Sequence, residues 1–64
     1  MKETDFIQEL IVEIMQQGYD RKTAGDYAVL IGDTPVTDAR GQVLVMDGRR
    51  RVATLQPLKM FTAE

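Results

Sequence analysis

Residues 42–55 read Gln42-Val43-Leu44-Val45-Met46-Asp47-Gly48-Arg49-Arg50-Arg51-Val52-Ala53-Thr54-Leu55. Two runs rich in β-branched and apolar residues flank Asp47-Gly48, a dipeptide that favours the two-residue type I′ hairpin turn. The stretch predicts strands over 42–46 and 49–55. In that register Met46 faces Arg49, Val45 faces Arg50, Leu44 faces Arg51 and Val43 faces Val52. One face then carries Val43, Val45, Arg50, Val52 and Thr54. The other carries Leu44, Met46, Arg49, Arg51, Ala53 and Leu55.

Neither face is plainly polar. A sheet covered on one side alternates apolar and polar residues along each strand, and this one does not. A second cover is therefore expected, either from the chain's own end or from another chain. Residues 56–64 supply apolar candidates in Leu58, Met60 and Phe61, beyond the bend at Pro57.

Upstream, Phe6, Ile7, Leu10, Ile11, Ile14 and Met15 recur at three- and four-residue spacing, which makes one apolar helical stripe. Thr4 or Asp5 is the expected cap, and Asp5 with Gln8 has capping-box spacing. Gly18 is the natural stop. Val12 falls off the stripe. Glu9, Glu13 and Gln16 occupy the opposite, solvated side.

Residues 20–32 allow two readings. Asp20 starts a short helix or turn through residue 25, followed by a strand over 26–31; this is the preferred one. In the other, 21–31 forms a single helix paired with the first. A short apolar run such as Tyr27-Ala28-Val29-Leu30-Ile31 does not distinguish them by periodicity. Gly32-Asp33-Thr34-Pro35 reads as a turn, and 36–41 as a loop or edge strand. The expected fold is α+β: an N-terminal amphipathic helix packed on a small antiparallel sheet that contains a C-terminal β-hairpin. All 64 residues form one small domain, with 56–64 as an apolar tail or interface segment.

Composition narrows the chemistry. A chain of 64 residues builds a core worth on the order of 3–5 kcal/mol unless something staples it. It contains no Cys and no His, so disulfides and the usual zinc ligands are absent. Ser, Asn and Trp are missing as well, and caps and turns fall to Asp, Thr, Gly and Pro. Without Ser, Cys or His, no Ser or Cys nucleophile and no imidazole base can be assembled. No cofactor motif is present: Gly32-Asp33-Thr34 and Asp47-Gly48-Arg49 lack the glycines and the Lys-Ser/Thr pair of a phosphate loop. Asp33, Asp38 and Asp47 could ligate a hard cation, but their spacing matches no calcium loop, and turn aspartates have simpler reasons to be there. Glu9 and Glu13 share a helical face, where solvation is the simpler account than paired acid–base work. Tyr19 and Tyr27 are expected as half-buried structural residues.

Net charge is −2, with no bulk attraction to nucleic acid or anionic membranes. The charge is segregated, however. Acids dominate residues 1–20, and Arg40, Arg49, Arg50, Arg51 and Lys59 give the remainder a basic character. The run Arg49–Arg51 suits phosphate or carboxylate, and it equally suits protection of a hairpin edge. The expected role is a small non-catalytic protein–protein interaction or regulatory protein, by analogy an accessory or inhibitor protein of bacterial or phage type. It would work through self-association or a larger protein partner, with Leu44, Met46, Leu58, Met60 and Phe61 as interface candidates. The alternative is a small nucleic-acid-binding protein using the basic set. No membrane partner is expected, and a cytoplasmic location follows only from the missing export and membrane-spanning signals.

Overall fold

The computed structural model describes residues 3–32 and 34–61. In chain order the elements are α1 (Glu3–Gln16), α2 (Arg21–Ile31), β1 (Val36–Thr37), β2 (Val43–Asp47), β3 (Arg50–Leu55) and a 3₁₀ turn (Lys59–Phe61). The strands form one antiparallel sheet in the order β1-β2-β3, so β2 is central and the other two are edges. α2 packs against both α1 and β2. The result is the expected α+β arrangement, with two helices rather than one against the sheet.

α1 follows the periodicity. Leu10 and Ile14 are fully buried, and Phe6, Ile7 and Ile11 pack around them half-buried. Val12 is exposed, as its place off the stripe requires. The helix begins at Glu3, however, so Thr4 and Asp5 lie inside it and neither is the cap. After the last turn, Gly18 takes φ 106° and its N–H donates to the Met15 carbonyl at 3.0 Å.

Residues 26–31 are helical, which corrects the preferred strand. Ala24, Ala28 and Ile31 fall at i, i+4 and i+7, and all three are buried, whereas Val29 and Leu30 turn outward. That stripe was hidden inside an uninterrupted apolar run. Asp20 caps the helix as expected: its Oδ1 accepts the Thr23 N–H at 2.8 Å, and its carbonyl accepts the Ala24 N–H at 2.9 Å. The Tyr19 and Tyr27 rings meet edge to face across the α1–α2 connection, 5.3 Å apart at 70°. Both are half-buried against the core.

The hairpin exists, but its turn and register differ from expectation. β2 runs through Asp47, and the two-residue connection is Gly48-Arg49. Gly48 has φ 68°, and among the described residues no non-glycine has positive φ. Positive φ at the first turn position alone is the type II′ pattern, not type I′. Asp47 pairs with Arg50 and Met46 with Arg51. The register then shifts, pairing Val45 with Ala53, Leu44 with Thr54 and Val43 with Leu55, and Val52 is the extra residue of a bulge. The inner face therefore carries Val43, Val45, Ala53 and Leu55, of which all but half-buried Ala53 are fully buried. The physical reason is plain: the expected register set Arg50 beside Val45 on the inner face, which would bury a guanidinium without a partner.

The β1–β2 connection is organised by Asp38. Its Oδ1 accepts the N–H groups of Arg40 (2.8 Å) and Gln42 (2.9 Å), and its own N–H donates to the Gln42 carbonyl at 3.0 Å. The tail closes the core. Leu58 is buried in the same cluster as Leu10, Ile14, Val43 and Leu55, and Phe61 stacks obliquely on Phe6 with ring centroids 5.9 Å apart. Glu13 is not merely solvated. Its carboxylate accepts the backbone N–H groups of Lys59 (2.7 Å) and Met60 (3.3 Å), which ties the 3₁₀ turn to α1.

Candidate interaction surface

Residues paired directly across antiparallel strands point to the same side. Val36 pairs with Leu44 and Leu44 with Thr54, so these three form one row across the whole sheet. Met46 and Arg51 form the next row. Along β2, Leu44 and Met46 alternate with the buried Val43 and Val45, which places both rows on the face away from the helices. Val36 is 51% exposed, and Leu44 and Met46 are half-buried. None of the three packs on the core cluster. Val52, 39% exposed, adds apolar surface in the adjoining bulge.

The other interface candidates have different positions. Leu58 is 1% exposed, and Met60 and Phe61 lean on the core half-buried. Among the described residues, the tail through Phe61 thus covers part of the helical side and not the outer face of the sheet. Leu44 and Met46 are the members of the expected set that this face brings together.

The basic residues are divided among three places. Arg49, Arg50 and Arg51 cluster at the β2–β3 tip, all exposed. Among the described residues they make no ion pair; the pair present is Lys22–Asp26 at 3.5 Å, one turn apart on α2. Arg40 lies in the β1–β2 connection, at the opposite end of β2, about 17 Å away for a five-residue strand. Lys59 sits against α1, where it lines an open groove of about 400 Å³ with Gln8, Glu9, Val12, Glu13 and Gln16. Its surroundings are acidic.

Of the aspartates considered for a cation, Asp38 has Oδ1 committed to the β1–β2 connection and Asp47 stands beside the hairpin turn. Asp33 lies outside the described residues. Among the described residues, no three His, Cys, Asp or Glu side chains gather as metal ligands would. Among the described residues, the carboxyl with a shifted acidity is a structural one, Asp20. Hydrogen bonding from Thr23, first through its side chain and then through its backbone N–H, holds the Asp20 carboxyl below its ordinary value.

Two side chains important to the architecture escaped sequence reading, Glu13 and Gln17, while Asp38 fills the backbone-bonding turn role expected of it. Asp38 had a local signal in Gly41 three residues on, the composition of an Asx-stabilised turn. Glu13 and Gln17 bond to backbone more than 35 residues away, for which no local pattern exists. Compared with protein families, with curated proteins and with solved structures, the chain finds no match.

Proposed function

We propose that this chain is a non-catalytic interaction protein that engages its partner through the outer face of its sheet. The observation that carries the reading is the row Val36–Leu44 with Met46 beside it, apolar and partly exposed on the side the helices do not cover. An outward sheet face left in water is ordinarily polar, and contiguous exposed apolar surface commonly marks a contact site. The residue inventory supports the same reading, since it lacks the nucleophiles and imidazole of common hydrolytic sites. The protein would act by occupancy, as a cytoplasmic regulatory, accessory or inhibitory subunit, on another protein or on a second copy of itself.

The test is capture from a lysate of the source cell with three forms of the protein: unchanged, Leu44→Glu, and Val29→Glu. Val29 is 73% exposed on α2, so its variant controls for added charge. All three are expected to retain the same far-ultraviolet dichroism, and only Leu44→Glu to lose the partner. Equal capture by all three would remove the sheet face from consideration.

A nucleic-acid role is the second reading, favoured by the adjacent guanidiniums of Arg49–Arg51, which among the described residues make no ion pair. It predicts retention of DNA or RNA that falls steeply with salt. The separation of Arg40 and Lys59 from that tip shortens any phosphate track. α2 adds little, because its outward Val29 and Leu30 offer no donors to base edges.

A further inference from the structure

We infer that the outer face of the sheet takes a single acidic amphipathic helix contributed by a different protein. The inference rests on the interaction reading above and adds the chemistry of the partner. Its first ground is size. Five-residue β2 gives the face a length of about 17 Å; its width is about 10 Å between the outer strand axes at the Val36–Leu44–Thr54 row, where all three strands pair, and about 5 Å at the Met46–Arg51 row, beyond the two residues of β1. A stable globular pairing buries about 800 Å² on each partner, and a face of these dimensions falls well short. One α-helix, about 10 Å across with its side chains, matches the width at the three-strand end and runs along β2 for about three turns. It would complete a helix–sheet–helix sandwich, an ordinary way to bury a second sheet face.

The second ground is charge. Arg51 lies on this face beside Met46, with Arg49 and Arg50 at the adjoining tip; among the described residues none of the three makes an ion pair, and the acid across the ladder from Arg50, Asp47, belongs to the row that points to the other side. The face residues Val36, Leu44, Met46, Arg51 and Thr54 include no acid. A helix with an apolar stripe and carboxylates on its flanks supplies what is missing. A second copy of the chain, laid face to face, would instead contribute another Arg51. The third ground is the edges. The bulge at Val52 and the arginines along β3 discourage strand addition there, and the other edge, β1, is only two residues long, too short a template for an added strand, which leaves the face as the place to dock.

The experiment uses the full chain and two labelled model helices about four turns long, with leucines at i, i+3, i+4 and i+7. One carries glutamates on its flanks and the other lysines. Fluorescence anisotropy is expected to show the glutamate helix binding with Kd between about 1 μM and 100 μM. Binding should weaken at least about tenfold when Arg49, Arg50 and Arg51 are all changed to Gln, weaken with added salt, and vanish with Leu44→Glu. Amide shifts in a nitrogen–proton spectrum should concentrate on β2 and β3. Equal affinity for the two helices overturns the inference, as does no binding at about 1 mM. Concentration-dependent self-association lost in Leu44→Glu would name a second copy instead, and tighter binding to a DNA oligomer would name nucleic acid. If Leu44→Glu still abolishes lysate capture while the glutamate helix fails to bind, the interaction reading stands and only the partner chemistry is wrong. If neither responds, both fall.

Discussion

The side-chain amide of Gln17 pairs with the backbone of Gln56 in both directions: Gln17 Oε1 accepts the Gln56 N–H at 2.9 Å, and Gln17 Nε2 donates to the Gln56 carbonyl at 3.1 Å. The amide thereby acts as a one-residue strand, continuing β3 onto the end of α1. Two net hydrogen bonds near the surface contribute about 1–2 kcal/mol together. Gln17→Ala is expected to lower the urea midpoint accordingly. Gln17→Glu retains the acceptor and loses the donor, so it should fall between the two. A Gln17→Ala midpoint equal to the unchanged protein's would show that solvent replaces the pair at no cost.

This contact marks the boundary of what the sequence discloses. α1 was legible because its apolar stripe repeats over a length that strands seldom reach, and α2's cap was legible because Asp20 bonds within its own turn. The strand-or-helix choice at 26–31 failed for a physical reason: small Ala24 and Ala28 define the buried stripe, and larger Val29 and Leu30, which dominate any hydrophobic reading, face outward. The hairpin was recognisable, but its register depended on keeping Arg50 off the inner face, and that became visible only with the helices in place. Of the proposed contact surface, Leu44 and Met46 were named from the two-faced hairpin. Val36 was not, because β1 is two residues long and carries no pattern of its own.

Leu10 and Ile11 are sequence neighbours in different environments. Leu10 is fully buried and Ile11 half-buried. Leu10→Ala should cost about 2–5 kcal/mol, the range for a large-to-small change in a packed core. In so small a domain that approaches the whole stability. Ile11→Ala should cost clearly less and leave a measurable two-state transition. Chemical denaturation of both, with a stabilising osmolyte present for the weaker one, checks the order. Equal losses would mean that Ile11 packs as tightly as Leu10.

Two glycines should respond to alanine with opposite signs. Gly25 lies inside α2, and a Cβ there would meet nothing within 4 Å outside the helix's own backbone. Gly25→Ala should stabilise by up to about 1 kcal/mol through helix propensity. Gly48 also has open space for a Cβ, but its φ of 68° disfavours any L side chain. Gly48→Ala should therefore destabilise by about 1–2 kcal/mol, and Gly48→Val by more, since a branched Cβ tolerates positive φ least. Thermal midpoints decide it. A neutral Gly48→Val would remove the type II′ turn.

Asp20 gives the chain a specific acid response. Its carboxyl is held below the ordinary 3.8 by hydrogen bonds from Thr23 that favour the ionised form. A depressed folded-state pKa means that the unfolded chain takes up the proton first. The contribution is therefore complete above the unfolded value and is lost as pH falls below 3.8 through the lower folded value. Asp20→Asn retains a capping oxygen without titrating. Between pH 7 and the acid limb the two proteins should differ by a constant amount. Below that, the unchanged protein should lose stability faster, so that the gap closes or reverses. Asp20→Ala, without a cap, should be less stable than Asn at every pH. Parallel acid limbs for Asp20 and Asn in denaturation at stepped pH would mean that the cap works through its hydrogen-bond geometry alone, with no preference for the charged carboxylate.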